Sequence, residues 1–276
     1  MKRKNPLLVI TGPTGIGKTD LIIALYDIVP LDIISVDSVQ IYKHLNIGSG
    51  KPSKEILSKY PHKLINKLEL HETYSTGSFR KDAITEIMSS TKNERIPALV
   101  GGTMMYFKSL FRGLTRMPKA NKYIRKNLSK MAELEGWPYL HRRLSLIDPE
   151  IAEKIHPNDS QRIQRALEVY QLSSRTMTDW HNLGPKDDIE FLNNFKILQF
   201  AIKPESRENH RNIVKKRFEK MIEDGLINEA QELLNNKAES KFNSMKSLGY
   251  KQVCEYLEGS CSYDAMLTKA VTATRQ

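Results

Sequence analysis

The chain has 276 residues, of which 39% are hydrophobic and 27% charged, the composition of a globular protein able to form one large domain or two modest ones. No apolar run approaches a membrane span, no signal region follows the basic start Met1-Lys2-Arg3-Lys4, and Cys254 and Cys261 are spaced for neither a zinc site nor a disulfide scaffold; this excludes helical membrane and disulfide-framework classes and favours a cytoplasmic setting. The net charge of +11 exceeds what a small-metabolite kinase needs and suits a protein that docks on a polyanion, although charge alone also serves solubility.

The first element is the apolar strand 7–11. Gly12-Pro13-Thr14-Gly15-Ile16-Gly17-Lys18-Thr19 follows, a full G-x-x-x-x-G-K-[ST] loop, and then the helix 18–28. Strand, loop and helix are the setting this motif requires. Small residues let successive backbone N–H groups converge on phosphate oxygens, and the helix start adds its positive field. Lys18 supplies a point charge and Thr19 a hydroxyl placed for magnesium. A second strand is predicted at 32–36, ending at Asp37-Ser38. Ser78 is the expected N-cap of a helix over 79–91. A buried strand at 97–100 closes on Gly101-Gly102-Thr103, and a helix over 104–111 follows. Strands separated by helices predict a parallel sheet covered on both faces, of the P-loop NTPase-like α/β type, with ligands beyond the carboxyl ends of the strands.

From 119 to 191 the rhythm changes. Helices are expected at 121–135, 138–147 and 160–174, with Asp159 or Ser160 capping the last and Ile163, Ala166, Leu167 and Tyr170 on its buried face. The segment reads as an all-helical insertion that ends in a polar, turn-rich stretch including Asp187-Asp188. The core is then 1–118 with 192–276: a strand at 196–202, a long charged helix from a Ser206 cap to about 224, and two or three further helices. The last, over 263–276 with Ser262 as its cap, reaches the final residue without a stop signal, as a shortened or incomplete segment would.

Besides Gly12, two strand ends carry candidate chemistry. Asp37 can hold magnesium, act as a general base beside the phosphates, or cap a turn. Thr103 can donate to a phosphate oxygen or cap the next helix. Gly101-Gly102 lets a ligand approach the backbone closely. Arg217, within Val214-Lys215-Lys216-Arg217-Phe218, can steady a leaving phosphate, but a solvated helix face explains the run better. Gln161-Arg162-Ile163-Gln164-Arg165 offers guanidiniums for phosphates and amides for base edges, or only an amphipathic surface. The seven histidines show no metal-ligand spacing.

The ordered series of motifs resembles the tRNA dimethylallyltransferase (isopentenyltransferase) family. The matches are the loop, Ser35 to Tyr42, Ile47-Gly48-Ser49-Gly50-Lys51-Pro52, Phe79-Arg80-Lys81-Asp82-Ala83, Val100 to Tyr106, His156-Pro157-Asn158-Asp159 with Gln161-Arg162, Arg217-Phe218, Leu248-Gly249-Tyr250-Lys251-Gln252 and Ala273-Thr274-Arg275-Gln276. The resemblance spans essentially the whole chain. It implies transfer of a dimethylallyl group from its diphosphate to the exocyclic amine of the adenosine 3′ of the anticodon, in tRNAs reading codons that begin with U. It implies that Gly12, Thr14, Gly15, Ile16, Gly17, Lys18 and Thr19 grip the diphosphate, with magnesium at Thr19, and that Asp37 is the base on the amine. Thr103 and Arg217 then flank the diphosphate. Asp37, Ser38, Val39 and Gln40, and Gln161, Arg162, Ile163, Gln164 and Arg165, match tRNA-contacting segments, as do Arg125, Lys246, Gly249, Tyr250 and Lys251. The insertion would grip the anticodon stem-loop, and the enzyme is expected to act as a monomer.

Two departures stand out: His71-Glu72 in place of the family's Asp-Pro, and Gly77 in place of Ala. The family also continues past Ala273–Gln276 with a basic, tRNA-binding stretch. Three rivals remain: an adenylate isopentenyltransferase, a P-loop small-molecule kinase and a non-catalytic tRNA binder. The insertion and the charge argue against the first two, and intact Lys18, Thr19 and Asp37 against the third.

Overall fold

The computed structural model describes residues 4–185, 189–236 and 242–274. Asp187-Asp188 of the polar turn, and Arg275-Gln276 of the last motif and helix, lie outside the described residues. Two compact units emerge, Met1–Phe111 with Glu190–Gln276, and Arg112–Ile189.

The first unit runs β1 (Asn5–Thr11), α1 (Lys18–Tyr26), β2 (Leu31–Val36), α2 (Lys54–Lys59), β3 (His62–Lys63), α3 (Thr76–Lys92), β4 (Ile96–Gly101) and α4 (Met104–Arg112). The second unit holds α5 (Lys122–Glu135), α6 (Trp137–Ile147), α7 (Pro149–Glu153), α8 (Ser160–Ser173) and α9 (Met177–Asn182). A short 3₁₀ turn (Glu190–Asn194) returns the chain to the first unit through β5 (Phe195–Ala201), α10 (Arg207–Glu223), α11 (Leu226–Asn236), α12 (Tyr250–Leu257) and α13 (Tyr263–Thr274).

The five strands form one sheet in the order β3-β2-β4-β1-β5, with every neighbouring pair parallel. Side chains alternate across it. Leu8, Ile10, Ile33, Ala98 and Val100 pack with Ile22 of α1 on one face. Leu7, Val9, Ile34, Val36 and Leu99 pack on the other with Phe79 of α3, Tyr106 and Leu110 of α4, and residues of the C-terminal helices that include Phe218, Leu226 and Tyr250. Helices on both faces explain why β1 and β4 carry continuous apolar runs; Asp32 and Ser35 interrupt that of β2. β5 differs. Among the described residues it pairs only with β1, buries only Phe195, and leaves Ile197, Leu198 and Phe200 39, 40 and 56% exposed.

The cap of α3 is Ser75, not Ser78. Ser75 is extended and its Oγ accepts the Ser78 N–H at 3.0 Å, so the helix begins a turn earlier, through Thr76 and Gly77. Those are weak helix formers, which the cap offsets. Asp159 and Ser206 do cap their helices. The helices α7 and α9 have five and six residues, too few to show a 3.6-residue period.

Unit two carries its own core, with Leu128, Leu140, Leu144, Ile163, Leu167 and Val169, and is all helical among the described residues. Tyr170, expected on the buried face, is 36% exposed. No helix among the described residues is long and apolar enough to cross a membrane.

Candidate active site at the strand ends

The loop after β1 is shaped by its glycines. A Cβ on Gly12 would stand 2.4 Å from the carbonyl oxygen of Ile202, so only glycine lets the chain pass this close to the end of β5. Gly17 begins α1 in the left-handed region (φ 84°) and gives it no side-chain cap, an arrangement of uncapped N–H groups that suits an anion. Lys18 Nζ donates to Gly12 O (2.8 Å) and Pro13 O (2.6 Å); an ammonium has a third N–H to give. His210 Nε2 lies 3.1 Å from Thr14 O and donates to it, since a carbonyl only accepts.

Asp37 sits at the end of β2. Its Oδ1 accepts the N–H groups of Val39 (2.8 Å) and Gln40 (3.2 Å), an Asx turn that fixes the carboxylate, while Oδ2 has no hydrogen bond among the described residues. Thr103 stands at the end of β4. Its Oγ1 accepts Ser38 N–H at 3.2 Å and its own N–H reaches Val36 O at 3.2 Å, so the hydroxyl ties the two strand ends and keeps its proton to donate. Gly101 is needed for a different reason from the one its Gly-Gly pair suggested. A Cβ there would lie 2.1 Å from Val36 O, so its bareness serves the packing of β4 on β2, and Gly102 is the residue beside Lys18.

Arg217 corrects the sequence reading. It is half-buried rather than on a solvated face: its Nε is buried without a hydrogen-bond partner among the described residues, its Cδ comes within 3.6 Å of a Cβ built on Gly15, and its Nη2 packs directly against Gly50. Gln40 donates to Ser49 O (3.4 Å) and Gly50 O (3.3 Å) and accepts from Ser35 Oγ (3.2 Å).

Electrostatics join these groups. Burial pushes Lys18 down to about 8; the Asp37 carboxylate opposes this and the Arg217 charge adds to it. Burial likewise lowers Arg217, opposed by Asp37 and Asp20. Two desolvated cations, a fixed carboxylate and a free hydroxyl proton therefore meet at the carboxyl ends of β1, β2 and β4. The Thr19 hydroxyl on the first turn of α1 is a hard oxygen donor of the kind a magnesium ion would take.

The expected tRNA-contacting residues divide. Asp37, Ser38, Val39 and Gln40 join the strand-end cluster. Gln161 and Arg162 are exposed, with Arg162 3.1 Å from Asp159. Arg125 and Arg165 instead pair with Glu168, whose side chain is wholly buried, at 2.8 and 2.7 Å. Gln164 donates to Arg125 O and Ser129 Oγ. Ile163 is fully buried in the helical core. Lys246 and Lys251 are exposed, Gly249 is buried, and Tyr250 is fully buried with its hydroxyl engaged. The side chains of Ile163 and Tyr250 therefore offer no surface to RNA. Sequence reasoning missed Glu168 and also Glu229, which accepts the Ile47 N–H from 182 positions away; no local pattern marks such a pair.

A parallel sheet with this loop and these strand ends defines an α/β protein of the P-loop type. Residues 40–276 match the family model described as IPP transferase. tRNA dimethylallyltransferase 2 of Hahella chejuensis is 41% identical over 281 residues, spanning 98% of this chain and 85% of that protein. The crystal structure of the tRNA delta(2)-isopentenylpyrophosphate transferase of Staphylococcus epidermidis is similar with a TM-score of 0.67 and 31% identity, over 99% of this chain and 87% of that one. A eukaryotic dimethylallyltransferase caught acting on tRNA is similar with a TM-score of 0.74 and 26% identity, over 99% of this chain and 67% of that one. The chain belongs to the IPP transferase family.

Proposed function

We infer that this protein is a tRNA dimethylallyltransferase, moving a five-carbon allyl group from dimethylallyl diphosphate to the exocyclic amine of the adenosine 3′ of the anticodon, in tRNAs reading codons that begin with U. The observation that carries the reading is the buried, unpartnered Nε of Arg217 beside Lys18. A buried donor without an acceptor is costly, and a diphosphate oxygen would supply the acceptor. The exposed loop amides and Thr103 Oγ1 would serve the same anion. Thr19 would hold magnesium against the diphosphate, where the ion would neutralise charge.

As the allylic C–O bond breaks, its electron pair leaves with the diphosphate, and Lys18, Arg217 and the α1 amides stabilise the growing charge. The amine nitrogen forms the new C–N bond and loses a proton, for which Asp37 Oδ2 is the open acceptor. The target base must leave its stack to reach such a group. Arg162 and Gln161 in unit two are suited to RNA phosphates. The unpaired Cys254 and Cys261 agree with a cytoplasmic setting, and we read the enzyme as a monomer.

Incubation with labelled dimethylallyl diphosphate, magnesium and unmodified tRNA should place label on the tRNA, at the adenosine next to the anticodon after nuclease mapping. Label on free AMP alone, or transfer of phosphate from ATP alone, overturns the reading.

A further inference from the structure

The segment Ile47 to Pro52 carries a family motif, yet none of its side chains enters the chemistry above. Its surroundings explain it. Glu229, on α11, accepts the backbone N–H of Asn46 at 3.2 Å and of Ile47 at 3.1 Å. The Tyr250 hydroxyl donates to the same carboxylate, and accepts the Gly48 N–H at 3.1 Å. The Tyr250 ring lies so near Gly48 that a Cβ there would be 2.6 Å from Cε2. From the other side Lys51 Nζ donates to Tyr42 O (2.8 Å), Asn46 Oδ1 (3.2 Å) and Asn66 Oδ1 (2.7 Å). The turn is thus held at both ends. Its far side receives Gln40, through Ser49 O and Gly50 O, and seats the Arg217 guanidinium against Gly50.

We propose that Glu229 and Tyr250 are positioning residues for group transfer: through the 46–50 turn they set the place of the Arg217 guanidinium and of the Asp37–Gln40 turn. Neither touches substrate. Tyr250 acts on the protein's own backbone, not on RNA. The inference rests on the proposed role of Arg217 at the diphosphate.

The test is Tyr250→Phe, which keeps the buried ring and removes only the hydroxyl, in the full chain with labelled dimethylallyl diphosphate and tRNA. The single-turnover transfer rate should fall roughly tenfold, since small misplacements of catalytic groups cost up to about a hundredfold, while the tRNA Kd stays within about twofold of wild type. Glu229→Gln, which keeps one acceptor oxygen, should lose less than Glu229→Ala. In an Arg217→Lys background the Tyr250→Phe loss should shrink, because the two residues act on one step. A wild-type transfer rate in Tyr250→Phe, even with a lowered Tm, makes the hydroxyl structural only and overturns the proposal. A raised tRNA Kd at unchanged rate makes it an RNA contact and does the same. Full additivity with Arg217→Lys removes the route through the guanidinium. Arg217→Lys alone at wild-type rate, or no transfer by the wild-type chain, sinks the underlying functional reading instead, and this inference with it.

Discussion

At the scale of single residues, the cluster makes Asp37 and Lys18 separable. Asp37→Asn keeps the Asx turn, whose acceptor is one oxygen, but removes the proton acceptor. Turnover should fall by about a hundredfold or more with the tRNA Kd unchanged, measured by single-turnover assay and filter binding; wild-type turnover would take Asp37 out of the base role. Lys18 gives a pH signature. Its value of about 8 means the free enzyme loses this cation as pH rises through that point, so kcat/KM for the diphosphate donor should decline on the alkaline side. Lys18→Ala should lower kcat/KM and flatten that limb; a limb that persists in the variant belongs to another group. The loop, Asp37 and Thr103 were legible in the sequence because each ends a strand, and topology brings strand ends together. Arg217 was named through the resemblance alone, since the consecutive cations Lys215-Lys216-Arg217 look solvated whether or not one of them turns inward.

At the scale of elements, Glu168 shows why the Gln161–Arg165 pattern was only half readable. Its buried carboxylate stays below the usual range although burial pushes it up, because Arg125, Arg165 and the Asn121 N–H hold it down. Folding stability from this group is therefore present above the unfolded carboxylate pKa and is lost as pH falls through the lower folded value. The helical unit should loosen as the pH falls, visible as loss of Trp137 and Trp180 fluorescence. Arg165→Ala leaves that carboxylate with one guanidinium and should cost about 2–3 kcal/mol, less than the loss of a sole buried partner, in urea unfolding. A variant of unchanged stability would return Arg165 to the RNA-contacting set. Two arginines three positions apart give no hint of which is tied down; the tether comes from Glu168 in a direction that periodicity does not encode. Capping was read better, at Asp159 and Ser206, because a cap is a local bond. Ser75 and Ser78 differ by one turn and compete for the same role.

At the scale of the whole molecule, the alternation of strands and helices made the parallel sheet and the helical insertion legible. The outward face of β5 was not, because an apolar run looks the same at an edge as at the centre. The charge of +11 finds its use in a polyanionic acceptor, so tRNA binding should weaken steeply with salt by counterion release. Arg162→Ala should weaken binding and lower the log–log salt slope by roughly one, read by filter binding from low to moderate salt; an unaltered slope would leave Arg162 outside the RNA footprint. β5 carries a cost of a different kind. Its outer row of amides and carbonyls, flanked by Ile197, Leu198 and Phe200, is a template on which a stray extended peptide can lengthen the ladder. Lys196 is the nearest built-in deterrent, and a second lysine in place of Phe200 should raise the concentration at which the purified protein begins to scatter light.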